Sequence, residues 1–145
     1  MNNSSVKKSY IYILLLFVAS CIFLSIRSMF GYCFNDEPFI VTLAQRISFG
    51  DSLFIDEWNF AQNFGVIILP LYNLYVSVFG STEGILLCFR FVYSILWSAT
   101  CVWLYSVLRQ KYKYSFFIFL YLILFSPLDQ MTLSYTSISF MCCLI

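Results

Sequence analysis

The stretch Gly84-Ile-Leu-Leu-Cys-Phe-Arg-Phe-Val-Tyr-Ser-Ile-Leu-Trp-Ser-Ala-Thr-Cys-Val-Trp-Leu-Tyr-Ser-Val-Leu108 decides the fold class. It carries a single charge, Arg90. As a helix this run would be about 37 Å long at about 1.5 Å per residue, enough to cross a hydrocarbon core of about 30 Å. Arg109, Lys111 and Lys113 follow at once. Composition points the same way: 61% of the 145 residues are apolar, 21% aromatic and only 10% charged. Soluble domains carry roughly 25% charged residues, so the deficit indicates contact with lipid. A net charge of +1 leaves no basic footprint for nucleic acid, and none is expected as a partner. Histidine is absent, which removes the commonest general base and the commonest zinc ligand. Any chemistry must rest on carboxylates, Arg, Lys or Tyr.

Working outward, the chain reads as all-α: polytopic transmembrane helices with a long extracytoplasmic loop that carries amphipathic interfacial helices. Spans are expected at about 10–30, 84–108 and 114–128, with an incomplete one at 131–145 and an outer loop over 34–83. All belong to one membrane domain. The first span opens with Tyr10 to Ile26, behind a leader holding Lys7 and Lys8. Val18-Ala19-Ser20-Cys21 resembles a lipoprotein cleavage box. The apolar run continues past Cys21, however, so an uncleaved helix is expected. The six cysteines show no C-x-x-C spacing, and five lie in apolar runs, where Cys acts as a small hydrophobe. No disulfide framework or cysteine metal site is expected. The abrupt stop at Ile145 suggests a piece of a longer multi-span protein.

The loop holds six of the seven acidic residues. Within it, Pro38 to Phe49 is amphipathic: Phe39, Ile40, Leu43, Ala44 and Ile47 share a helical face, opposite Thr42, Gln45, Arg46 and Ser48. Asn35 or Asp36 can cap this helix and Gly50 can end it. It is expected to lie along the membrane surface. Pro70 divides the apolar run from Val66 to Phe79, which favours a turn followed by an interfacial helix over a straight span. Gly80-Ser-Thr-Glu83 is expected to end that helix and cap the next. Lys7, Lys8, Arg109, Lys111 and Lys113 flank the spans on one side, which places that side and the N-terminus in the cytoplasm.

Two features are candidates for chemistry. Asp36-Glu37 is a carboxylate pair at a membrane surface. It could take a proton from a hydroxyl or, through Asp36, hold a divalent cation. It could equally be a helix cap with a solvated neighbour. Arg90 lies inside a span, where a charge is costly and marks a functional site by default. Its guanidinium could clamp a lipid phosphate, or it could pair with Asp36, Glu37 or Glu83. Arg27 lies at the same end and could face the acidic loop. Asp56-Glu57 reads as a solvated turn or a cap, and Asp129 as a charge ending a span.

Five short motifs then fall in a familiar order: Asp36-Glu37-Pro38-Phe39, Ile68-Leu69-Pro70-Leu71-Tyr72, Phe79-Gly80, Phe89-Arg90-Phe91 and Ser134-Tyr135. Over roughly Tyr10 to Tyr135 this order resembles the N-terminal part of the C-superfamily multi-span glycosyltransferases. These include protein O-mannosyltransferases and lipid A aminoarabinose transferases. The resemblance implies transfer of a sugar from a polyprenyl-phosphate donor in the membrane to an extracytoplasmic acceptor. It implies Asp36 as catalytic base or metal ligand, Glu37 as its catalytic neighbour, and Arg90 as a substrate-binding group facing the donor phosphate. It also implies a bacterial cytoplasmic membrane and a longer chain with further spans. The other class of function weighed is a non-catalytic membrane protein or subunit, in which an acidic residue and Arg90 fix helix packing.

Overall fold

The computed structural model describes residues 3–30, 36–56, 59, 61–125 and 131–145; side chains are described from Ser9 onward, that of Asp36 excepted. These residues form six helices: α1 (Asn3–Ser28), α2 (Asp36–Ser48), α3 (Gln62–Phe79), α4 (Ile85–Leu108), α5 (Ser115–Leu124) and α6 (Tyr135–Leu144). Three stretches are long and apolar enough to cross a membrane: Ser9–Ser28, Gln62–Phe79 and Ile85–Leu108. The chain is therefore an all-helical protein with the character of an integral membrane protein.

α4 is the centre. Over half of its apolar window is buried in protein, against 11% for α1. Phe89, Tyr93, Trp97 and Cys101 recur along one buried face of α4 and meet Leu24 of α1, Leu122 of α5 and Met141 of α6 in one core. The Trp97 ring stacks on Tyr93 and on Phe140, with centroids 6.3 and 5.6 Å away. Its indole N–H donates to the Leu122 carbonyl at 3.1 Å. The outer face of α1, from Ile11 to Ile26, stays apolar and exposed, as a lipid-facing surface requires.

α1 and α4 run antiparallel. At one end Arg109 Nη2 donates to Ser9 Oγ at 2.6 Å. At the other, Arg90 Nη1 donates to the Ser28 carbonyl at 2.8 Å. Nineteen residues separate the two contact points in each helix, about 28 Å and close to a hydrocarbon thickness. The chain thus leaves α1 and enters α4 at the same end of this pair.

The amphipathic helix expected from Pro38 to Phe49 forms as α2. Ile40, Leu43 and Ala44 of the expected face are buried, and Thr42 and Ser48 opposite are exposed. Pro38 sits in the first turn, where its missing N–H would lack a partner anyway. The apolar face of α2 is covered by α3, however, so it is not free to rest on lipid. The expected division at Pro70 is absent: α3 runs unbroken through it. Pro70 is exposed there, and the helix goes on with one ladder bond fewer. Gly80 ends α3 in the left-handed conformation, its N–H returning to the Val76 carbonyl at 2.8 Å. The next helix is not capped by the Ser81–Glu83 side chains. Its cap is Gly84, also left-handed, with no side-chain bond.

The remaining spans also differ from expectation. The helix expected over 114–128 covers Ser115–Leu124, about 15 Å, and the chain turns extended at Phe125. Its end is anchored sideways, since the Leu122 carbonyl takes the Trp97 bond and the Leu124 carbonyl takes Arg27 Nη1 at 2.8 Å. The Ser126-Pro127 end and Asp129 lie outside the described residues. In 131–145 only Tyr135–Leu144 is helical, opened by a capping box. There Ser134 Oγ accepts from the Ser137 N–H at 3.1 Å, and Ser137 Oγ accepts from the Ser134 N–H at 2.8 Å.

α2 and α3 meet at Gly65. A Cβ there would fall 2.9 Å from Ile47 Cδ1 and 3.1 Å from Leu43 Cβ. Gly65→Ala should therefore gain up to about 1 kcal/mol of helix propensity and lose more by overpacking, about 1–3 kcal/mol. The expected outcome is a lower thermal midpoint in detergent, with a larger drop for Gly65→Leu. An unchanged or raised midpoint for both variants would mean that the helices do not pack closely at this point.

Candidate functional site

The helix start at Asp36 brings Glu37 onto the inner face of α2, next to Arg90 of α4. Arg90 Nη2 donates to Glu37 Oε2 at 2.6 Å, and Nε lies 3.2 and 3.1 Å from Oε1 and Oε2. Nη1 holds the Ser28 carbonyl. The side chains of Arg90 and Glu37 are only 11% and 2% exposed. Forked contacts of this kind are the strong form of the ion pair. Glu37 also lies in the first turn of α2, where the helix dipole favours a negative charge. Ser28 ends α1, so its carbonyl lacks an intrahelical partner and Arg90 supplies one. A single guanidinium thus joins α1, α2 and α4.

Of the sequence-predicted site residues, Glu37 and Arg90 come together directly. Asp36 is the first residue of α2 and the immediate neighbour of the pair, but its side chain lies outside the described residues. Among the described residues, the ionic partner of Arg90 is Glu37; Glu83 instead sits exposed in the turn before α4, its carbonyl accepting from the Tyr75 hydroxyl. Among the described residues, Arg27 does not pair with an acidic side chain. Its described bond is to the Leu124 carbonyl, a cation at a helix C-terminus. The second acidic pair behaves in part as a turn: Asp56 Oδ2 accepts from the Ser52 N–H at 2.7 Å, while Glu57 lies outside the described residues. Nearby, Arg46 pairs with Asp51 at 2.6 Å, with both side chains more than a third exposed. A pair so exposed contributes about 0–1 kcal/mol.

Among the described residues, no three His, Cys, Asp or Glu side chains converge as a metal site. The Glu37 carboxylate is engaged by Arg90. A divalent cation at this position would therefore depend on Asp36 and on groups outside the described residues. No protein-family profile, curated protein or solved structure matches this chain.

The Ser28 carbonyl and the Leu124 carbonyl are partners that residue identity could not reveal, because they are backbone groups at helix ends. The signal available was positional: an arginine a turn or so inside a span needs an acceptor within reach.

Removing one member of the buried pair strands the other charge, at a cost of about 3–5 kcal/mol. Glu37→Leu and Arg90→Met should each lower stability against chemical denaturation by about that amount, while the double variant should recover most of the loss. A loss in the double variant equal to the sum of the two single losses would show that the two residues are not coupled.

Proposed function

We propose that this chain is the N-terminal portion of a membrane glycosyltransferase. It would move a sugar from a polyprenyl-phosphate donor to an extracytoplasmic acceptor. What supports the reading is the Glu37–Arg90 pair. Two of the three motif residues, 53 positions apart, meet in a buried fork at the first turn of α2. The pair fixes that turn against the ends of α1 and α4, beside Asp36. In this reading Asp36 is the base that takes the acceptor proton, with any divalent cation bound beside it. Glu37 and Arg90 act through it as positioning residues. Facing the donor phosphate would require Arg90 to release contacts it already makes.

The topology belongs to the same proposal. α1 and α4 cross a bacterial cytoplasmic membrane in opposite directions. Lys7, Lys8, Arg109, Lys111 and Lys113 then share one side, which basic flanks assign to the cytoplasm. The segment between the two helices begins and ends on the outer side. α2 is about 20 Å long and too short to cross, so α3 does not cross either, although its length and composition allow it. The α2–α3 unit is then the extracytoplasmic segment, with the exposed apolar residues of α3 against the outer membrane surface.

A second reading is favoured by the same observation. A carboxylate and a guanidinium so fully engaged with each other make a packing device, and a non-catalytic membrane subunit needs nothing more.

Transfer activity separates the two. In membranes carrying the full-length protein and a polyprenyl-phosphate sugar, Asp36→Asn should abolish transfer and leave expression unchanged. Undiminished transfer would remove Asp36 from the chemistry. Topology has its own test. In a cysteine-free background, Ser52→Cys and Ser81→Cys should react with a membrane-impermeant maleimide on intact cells, and Lys111→Cys only after the membrane is opened. Protection of Ser81→Cys on intact cells would put α3 across the bilayer.

A further inference from the structure

The turn between α2 and α3 presents two large apolar side chains to the surroundings. Phe54 is 60% exposed and Ile55 73%. Phe54 has φ +64°, the one positive value outside glycine among the described residues. A bulky residue in the left-handed region is strained, and such strain persists only where the surrounding structure imposes it. Here the bonds that impose it are plain. The Phe54 N–H donates to Oε1 of the buried Gln62, the first residue of α3, at 2.7 Å. The N–H groups of Ile55 and Asp56 both reach the Ser52 carbonyl, at 3.3 and 3.2 Å, and the Ser52 N–H reaches Asp56 Oδ2 at 2.7 Å. Arg46 donates to the Asp56 carbonyl at 2.9 Å and pairs with the Asp51 carboxylate. The turn therefore uses its polar groups internally and leaves apolar ones at its tip.

What surrounds the tip follows from α3. That helix is long and apolar enough to cross a membrane, yet only 28% of its window is buried in protein. Its exposed Val66, Ile67, Leu74 and Val78 need lipid. Whether α3 crosses the bilayer or lies along it, its first residue stands at the membrane surface. Phe54 is bonded to that residue, which sets the tip at the same level, where aromatic side chains are favoured.

We infer that the turn Ser52–Asp56 anchors the α2–α3 unit in the bilayer, with Phe54 and Ile55 inserted at the boundary of headgroups and acyl chains. The partner is the lipid surface itself. The imposed backbone conformation keeps both side chains at the tip. The internal bonds of the Ser52, Phe54, Ile55 and Asp56 N–H groups lower the cost of bringing this backbone into a poorly hydrated layer. The inference rests on α3 meeting lipid, and neither on sugar transfer nor on which side of the membrane the turn faces.

The test reads depth. In a cysteine-free background, Ile55→Cys carries a nitroxide label, and the 145-residue chain is placed in phospholipid nanodiscs. Collision of the label with oxygen, which concentrates in hydrocarbon, is compared by EPR with collision with a water-soluble nickel chelate. The oxygen-to-chelate ratio should stand well above that of the free label in water. A ratio equal to that in water would put the tip outside the bilayer, and a label that neither reagent reaches would put it under protein; either result overturns the inference. Phe54→Gly supplies a second readout. Glycine takes φ +64° freely and the exposed ring touches little protein, so the thermal midpoint in detergent should not fall. A lower midpoint would mean that the ring packs on the fold, and would also overturn it. Maleimide labelling of Ser52→Cys reads the side of the membrane and Asp36→Asn reads transfer. Neither decides depth, so the proposals fail separately.

Discussion

The guanidinium of Arg90 is the constraint on which the arrangement depends. A charge in this position is tolerated only when every donor is used, because the alternative is an unpaired ion in a low-dielectric surround. Arg90, carried on α4, donates to two other helices: to the Glu37 carboxylate in the first turn of α2 and to the last carbonyl of α1 at Ser28. Each partner is itself a group that the helix end leaves in want of a counterpart. The ion pair therefore fixes where α2 begins, and through α2 where α3 can lie.

A similar logic governs the ends of the other helices. Arg27 and Trp97 hold the final carbonyls of α5, so a helix of only ten residues can stop inside a packed bundle without stranding its backbone. Arg109 meets Ser9 at the opposite end of the α1–α4 pair. The bundle is thus pinned near both ends by arginines. Between them, aromatic and small side chains of α4 fill the core around Trp97.

That arrangement separates two regions with different work to do. The α1–α4 pair and the short helices beside it supply an apolar body. The α2–α3 unit, closed tightly at Gly65, belongs to the segment that carries six of the seven acidic residues. The ion pair joins that unit to the bundle.

The sequence by itself determined the helical class, the membrane character, the central span at 84–108 and the amphipathic face of α2. Each of these rests on local composition and period, which need no knowledge of neighbours. It also singled out Asp36, Glu37 and Arg90, since charges are conspicuous against so apolar a background. Tertiary structure decided the rest. It chose Glu37 over Glu83 as the ionic partner of Arg90, because the start of α2 reaches Arg90 while Glu83 lies in the turn before α4. It carried α3 straight through Pro70, since one lost backbone bond is outweighed by a helix packed on α2. It put the apolar face of α2 against α3 instead of lipid, because Gly65 lets the two backbones approach. Hydrophobic pattern says that a face will be covered; only the assembled fold says by what.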